Sequence, residues 1–217
     1  MNYLEMKNIS LIRDEIKILN NINLKIDKGD FLSVIGSSGS GKSTLLRLLG
    51  NLITESSGEI LFKGKNYKDY NSTYLRQTVH YSHQNPYLFG ETVKDNLIFP
   101  FEMRNKDVDY EKIVDYLNKF NLNESFLDKN IKKLSGGETQ RIAFIRSLLI
   151  EPKVILLDEI SSALDEVNKK NLSNVLKELN EKGLTIISIS HDLNQAYSDG
   201  NKLIKLHRGE IIERVNL

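Results

Sequence analysis

Along the 217 residues, the spacing of apolar positions switches between two periods. Ile22, Leu24 and Ile26 alternate with Asn23 and Lys25, the period of two expected of a half-buried strand. FLSVI (31–35) is an unbroken apolar run, as a strand covered on both faces would be. From Ser43 to Asn51, Leu45, Leu46, Leu48 and Leu49 fall at helical spacing. Gly58 to Phe62 and Val79 to Ser82 read as short strands. From about 93 to 150 the pattern is helical. Tyr110, Ile113, Val114, Leu117 and Phe120 share one face, and Ile142, Phe144, Ile145, Leu148 and Leu149 give a helix apolar nearly all round. KVILL (153–157) predicts a buried strand, 166–182 a helix with Leu172, Val175, Leu176 and Leu179 on one side, and TIISIS (185–190) another buried strand. Two short strands, 202–207 and 210–215, meet at Arg208-Gly209. Apolar strands alternating with helices predict an α/β protein with a parallel sheet, and the helical stretch reads as a subdomain inserted into it. No internal repeat, low-complexity tract or linker divides the chain.

Composition adds mainly exclusions. Hydrophobic residues make up 40% and charged residues 27%, enough for one domain with a sizeable core across 1–217. The net charge of +1 supplies no field for nucleic acid or a lipid surface. With no cysteine there is neither a disulfide scaffold nor a zinc-thiolate site. MNYLEMKNIS lacks the basic and apolar regions of a signal peptide, and no apolar run approaches the roughly 18 residues that cross a bilayer. The expectation is a chain that is soluble by itself, inserts into no membrane directly, and takes any membrane role through a partner.

The chemistry begins at GSSGSGKST (36–44), directly after a buried strand and opening a helix, which is G-x-x-x-x-G-K-[ST] in its required context. Gly36, Gly39 and Gly41 let the backbone curl through Ser37, Ser38 and Ser40 so that its N–H groups line an anion nest. The helix N-terminus adds partial positive charge. Lys42 is placed for the terminal phosphates of a nucleotide and Ser43 for Mg²⁺, with Thr44 behind it. KVILLDEI then puts Asp158 and Glu159 at the C-terminal end of a buried strand, the edge at which ligands gather in open α/β sheets. Asp158 is expected to hold the metal and Glu159 to polarise an attacking water. Gln84 follows the strand VHYS, and His191 follows IISIS. Alone, each is an ordinary edge residue; beside the loop and the acidic pair, each is a candidate for metal, water or γ-phosphate.

LSGGETQR (134–141) carries no nucleophile and base of its own. Its meaning lies in order: GSSGSGKST, Gln84, LSGGE, VILLDE, SSALD (161–165), His191. That order resembles the nucleotide-binding subunit of ATP-binding-cassette (ABC) transporters over essentially the whole chain. The resemblance implies a P-loop NTPase core (1–84 and 134–217) with an N-terminal antiparallel β subdomain, and a helical subdomain at about 85–133. It implies ATP and Mg²⁺ as ligands and Glu159, His191, Gln84 and Lys42 as the catalytic set, with Ser43, Gln84 and Asp158 on the metal. Two copies would associate head to tail on ATP, so that Ser135 and the N–H groups of Gly136 and Gly137 meet the γ-phosphate of the opposite copy, with Glu138 near that nucleotide and Asp165 along the same interface. A polytopic membrane permease would receive the motion, placing the chain in the cytoplasm against the inner face of the membrane. PYLFG (86–90) and Phe99-Pro100-Phe101 are either that docking groove or subdomain core.

KILNNINL (17–24), LFGETVKDNLIFP (88–100), DKNIKKLSGGETQRI (128–142) and LLDEISSALDEVNKKN (156–171) resemble more narrowly the FetA type of small bacterial ATPase, associated with a FetB-like permease and with export of iron or another metal. Three positions depart from the broad family. Glu138 replaces the usual glutamine and adds a negative charge near the nucleotide. Ile160 replaces a common proline. Arg13 stands where an aromatic residue usually stacks on adenine; it is a guanidinium platform or a plain surface residue. The other readings are a soluble ABC ATPase of repair or ribosome type, an ATPase of a lipid- or lipoprotein-releasing complex, and a small-molecule P-loop kinase. No heptads lie between Lys42 and Ser135 as the repair type needs, and a kinase leaves LSGGE and SALD unexplained.

Overall fold

The computed structural model describes residues 2–190 and 192–217, so His191 lies outside the described residues. The chain forms two compact units: 1–81, 153–159 and 179–217, and 82–152 with 160–178.

The first unit is built from two sheets. Strands β1 (Asn2–Arg13), β2 (Ile16–Asp27), β4 (Ser57–Phe62) and β5 (Lys65–Asn66) form an antiparallel sheet in the order β2-β1-β4-β5. Strands β3 (Phe31–Ile35), β6 (Val79–Ser82), β7 (Val154–Asp158), β8 (Thr185–Ile189), β9 (Lys202–His207) and β10 (Glu210–Asn216) form the second, in the order β10-β9-β3-β8-β7-β6. Pairings β3·β8, β3·β9 and β7·β8 are parallel, as the unbroken apolar runs require, and the β9–β10 hairpin turns at Arg208-Gly209. Helix α1 (Lys42–Leu49) presents four fully buried leucines, Leu45, Leu46, Leu48 and Leu49, to a core shared by residues of both sheets.

Strand β1 escapes a period-two reading for a local reason. Leu4 and Met6 are buried at even positions, Ile9 and Leu11 at odd ones. The phase flips at Asn8, which has φ 51 and sits where the register with β2 shifts. Such a bulge inserts one residue and re-aims everything after it. Gly58 is the matching concession on β4: at φ 92, a Cβ there would lie 2.5 Å from the carbonyl oxygens of Lys7 and Asn8. Strand β2 flips the same way at Asn21, φ 48, between buried Leu19 and Ile22. Helices α2 (Ser72–Thr78) and α7 (Leu193–Asp199) are too short to show periodicity, and each starts on a side-chain cap, Asn71 and Asp192.

In the second unit the helical stretch resolves into α3 (Val93–Glu102), α4 (Tyr110–Lys119) and α5 (Gly136–Leu149). Helix α6 (Glu166–Glu181) follows β7 in the chain. Phe120 and Phe144 meet edge to face at 5.5 Å in its interior. Fully buried Asn96 accepts from Phe89 N and Arg146 Nη1 and donates to the Phe89 and Thr92 carbonyls, which pins the 86–92 segment. That divides the aromatic segment: Leu88 and Phe101 are core, whereas Tyr87 and Phe99 are exposed. Among the described residues no helix is long and apolar enough to cross a membrane.

Candidate nucleotide and hydrolysis site

The register of the parallel strands sets the site. Val34 pairs with Ile189, and Ile189 with Asp158, so β3, β8 and β7 end level with one another. With strands about 4.8 Å apart, what leaves β3 and what leaves β7 emerge about 10 Å from each other. The glycine-rich loop leaves β3 and Glu159 leaves β7.

The loop can curl only because of its glycines. Gly36 has φ 149, and a Cβ there would stand 2.3 Å from the Leu206 carbonyl oxygen. Gly41, φ 102, is the N-cap of α1, and a Cβ there would press on Leu19 at 2.7 Å. As a glycine cap it offers no side-chain acceptor, so the first-turn N–H groups of α1 are left for an external anion. Ser37, Ser38 and Gly39 form the exposed tip, whereas Ser40 is buried with its hydroxyl unpartnered. Lys42 is buried, its ammonium donating to the Gly36 and Ser37 carbonyls at 2.9 and 3.0 Å. The arrangement is a cradle of donors with one buried cation beneath it, and fits a phosphate chain.

Ser43, one residue into α1, donates through Oγ to Asp158 Oδ1 at 2.9 Å. The two hard oxygens are therefore side by side at the mouth of the cradle. No cluster of three acidic or histidine side chains suited to a metal exists among the described residues. A cation such as Mg²⁺, which takes one or two protein oxygens and completes its shell with phosphates and water, fits this donor pair. Thr44 is half-buried behind Ser43.

Tyr81 on β6 was not legible as a site residue. Its hydroxyl donates to Asp158 Oδ2, and Arg47 of α1 hydrogen-bonds it in turn. Burial and the Asp158 bond push the phenol up to about 12, against a weaker lowering by Arg47, so at neutral pH it remains a donor. The one signal in the sequence is that Tyr81 shares the inward face of VHYS with Val79.

Glu159 is half-buried with φ 53, a left-handed conformation that carries strain for a residue with a Cβ. Arg13 is exposed at the end of the β1–β2 hairpin, paired with Ile16 across the turn. Gln84 lies in the second unit, exposed in the loop after β6, and its carbonyl accepts from Gln140 Nε2 at 3.2 Å.

The signature stretch starts its helix two residues earlier than Glu138, at Gly136. Ser135 and Glu138 form a capping box: Ser135 Oγ accepts from Glu138 N and Glu138 Oε2 from Ser135 N at 2.7 Å. Ser135 and Gly136 are exposed, and a Cβ on Gly136 would meet nothing within 4 Å. Glu138 does not present a bare charge, because Lys129 Nζ donates to its Oε1 at 2.8 Å. Arg141 bridges the Gly137 carbonyl, the Phe120 carbonyl and Asn168, whose amide in turn donates to the Asp165 carboxylate. Arg141 and Asn168 tie the signature helix to the SALD turn, and neither stood out in the sequence.

The Lys129 bond holds the Glu138 carboxyl below its ordinary value of 4.5. A depressed folded-state pKa gives stability that is present above 4.5 and is lost as pH falls through the folded value. The Lys129→Met variant is therefore expected to lose less stability than the parent on acidification below 4.5, with the two differing by a constant amount nearer neutrality; urea midpoints across pH measure this.

A phosphate cradle at the head of α1, an acidic strand end beside it and a capped Ser-Gly-Gly helix start define a P-loop ATPase of cassette type. Residues 19–162 match the family model described as ABC transporter. The chain belongs to the ABC transporter ATP-binding family, whose members bind and hydrolyse ATP. It is 44% identical over 213 residues, 97% of this chain and 94% of the relative, to the "Probable iron export ATP-binding protein FetA" of Escherichia coli K12. It is 36% identical to the energy-coupling factor transporter ATP-binding protein EcfA1 of Halalkalibacterium halodurans over 90% of this chain and 71% of that one. The dimeric ATP-binding cassette MJ0796, solved in a post-hydrolysis state with ADP and Pi, superimposes with a TM-score of 0.88 at 30% identity, over 99% of this chain and 98% of that one.

Proposed function

We propose that this chain is the ATPase subunit of a bacterial exporter of iron or another metal, driving a separate FetB-like permease from the inner face of the membrane. The observation that carries this reading is the end-to-end similarity to the iron export relative, 97% of one chain against 94% of the other. Exposed Tyr87 and Phe99 on the second unit are the surface offered to the permease.

The chemistry is in-line phosphoryl transfer to water, for which positioning and electrostatics suffice. The loop N–H groups from Gly36 to Thr44 and the Lys42 ammonium hold the phosphates, and Arg13 covers the adenine. Ser43 and Asp158 would hold Mg²⁺, which when bound neutralises charge on the phosphate oxygens. Glu159 accepts the proton of the attacking water, and His191 orients the γ-phosphate. Ser135, Gly136 and Gly137, with Glu138 fixing the cap, contact the nucleotide of a second copy in a head-to-tail dimer, with Asp165 alongside. Driving a two-state permease nearly fully from one state to the other takes about 5.5 kcal/mol of differential binding, which two γ-phosphate sites closing together would have to supply.

Affinity purification of the chain from detergent-solubilised native membranes tests this reading. One polytopic membrane protein in comparable amount is expected, with ATPase activity of the pair stimulated by iron or a related cation. Soluble ribosomal or DNA-repair partners alone would overturn transport. Stimulation by a polyamine instead would move the cargo away from metals.

A further inference from the structure

We propose that Tyr81 is a positioning residue for the divalent cation: its hydroxyl fixes the rotation of the Asp158 carboxylate so that Oδ1 faces Ser43. The inference rests on the reading of Ser43 and Asp158 as the cation's protein ligands.

The hydrogen bonds set the direction. Asp158 is 3% exposed, so each of its oxygens needs a donor from the protein or a cation. Oδ1 takes the Ser43 hydroxyl at 2.9 Å and Oδ2 takes the Tyr81 hydroxyl. A carboxylate oxygen has two lone pairs, so Oδ1 keeps one beside the lone pairs of Ser43 Oγ. Rotating the carboxylate would break both bonds at once. Tyr81 is itself held: it is part of the buried core, its Cβ lies so close to Gly50 that a Cβ added there would stand 3.2 Å from it, and its oxygen is hydrogen-bonded by Arg47. The relay Arg47–Tyr81–Asp158–Ser43 thus leaves α1 and returns to it, closing around the strand end. Groups that orient a metal ligand without touching the metal typically set affinity by about 10–100-fold. A tyrosine kept only for packing would lose nothing of this kind when its hydroxyl is removed.

The test is Mn²⁺ binding by the full chain with a non-hydrolysable ATP analogue, read by electron paramagnetic resonance, with Mn²⁺ standing in for Mg²⁺. Tyr81→Phe is expected to weaken Mn²⁺ by about 10–100-fold while the affinity for the analogue in EDTA stays that of the parent. Arg47→Met, at an exposed position that does not endanger folding, is expected to shift Mn²⁺ affinity the same way by less. Asp158→Asn is the control for the underlying reading. If Asp158→Asn loses Mn²⁺ and Tyr81→Phe does not, the role of Tyr81 is refuted and the cation site stands. If Asp158→Asn binds Mn²⁺ as the parent does, both are refuted. Should Tyr81→Phe fail to fold, unchanged Mn²⁺ affinity in Arg47→Met refutes the relay.

Discussion

Replacing Glu159 by glutamine is expected to lower steady-state ATP hydrolysis by about 10²–10⁴-fold, the usual contribution of a positioned general base, without loss of ATP binding. Glutamine matches glutamate in size and keeps the backbone demand of φ 53 unchanged, so the substitution removes the capacity to take a proton, together with the charge, without changing the shape of the side chain. The strained conformation is informative. Asp158 ends β7 in register with β8, and the left-handed turn at the next residue swings Glu159 off the strand line. Such conformations cost on the order of 1–3 kcal/mol and persist where the surroundings enforce them. The second consequence is physical accumulation. In the proposed head-to-tail dimer the γ-phosphate bridges the two copies and its cleavage releases them, so Glu159→Gln with ATP should elute as a dimer where the parent elutes as a monomer. Phosphate release at the parental rate would remove Glu159 from the role of base.

Replacing Lys42 by alanine is expected to weaken ATP binding by about 100-fold, since hydrogen bonds to a charged group are worth about 1.5–3 kcal/mol each and at least one to the phosphates is lost. The loss has two sources. One is the buried cation itself, the positive charge beneath the donor cradle. The other is the loop, because the ammonium holds the Gly36 and Ser37 carbonyls at 2.9 and 3.0 Å. Without it those carbonyls face the phosphate site uncompensated. Arginine should not rescue, because a planar guanidinium does not fit a point-charge site between two carbonyls. Calorimetric titration with ATP measures this, and parental affinity in Lys42→Ala would overturn the placement of phosphates in this loop.

The buried strands β3, β7 and β8 were legible because a strand covered on both faces must be apolar at every position, and no turn chemistry interrupts them. The long strand β1 was not, because its bulge at Asn8 reverses the inward face halfway along and cancels the alternation. Helices α2 and α7, seven residues each, are shorter than the window in which a helical period can be counted. The aromatic segment 86–101 was ambiguous for a different reason: Phe101 is buried and Tyr87 exposed, and the Asn96 and Arg146 bonds that pin the backbone at Tyr87 and Phe89 are not encoded in spacing.

The sequence by itself determined the chemistry that depends on neighbours along the chain: a glycine loop between strand and helix, two carboxylates closing an apolar strand, and a serine followed by two glycines at the start of a helix. Each of these is a local statement about which backbone can curl, which side chain can cap and which end of a strand is charged. Tertiary structure alone decided what joins them. It set β8 between β3 and β7, brought Ser43 to Asp158 across 115 residues of chain, and placed Tyr81 from an edge strand against the same carboxylate. It also met the charge of Glu138 with Lys129. The contacts among Ser43, Asp158 and Tyr81 are set by sheet order and register, which arise from packing of the whole core and leave no spacing in the sequence.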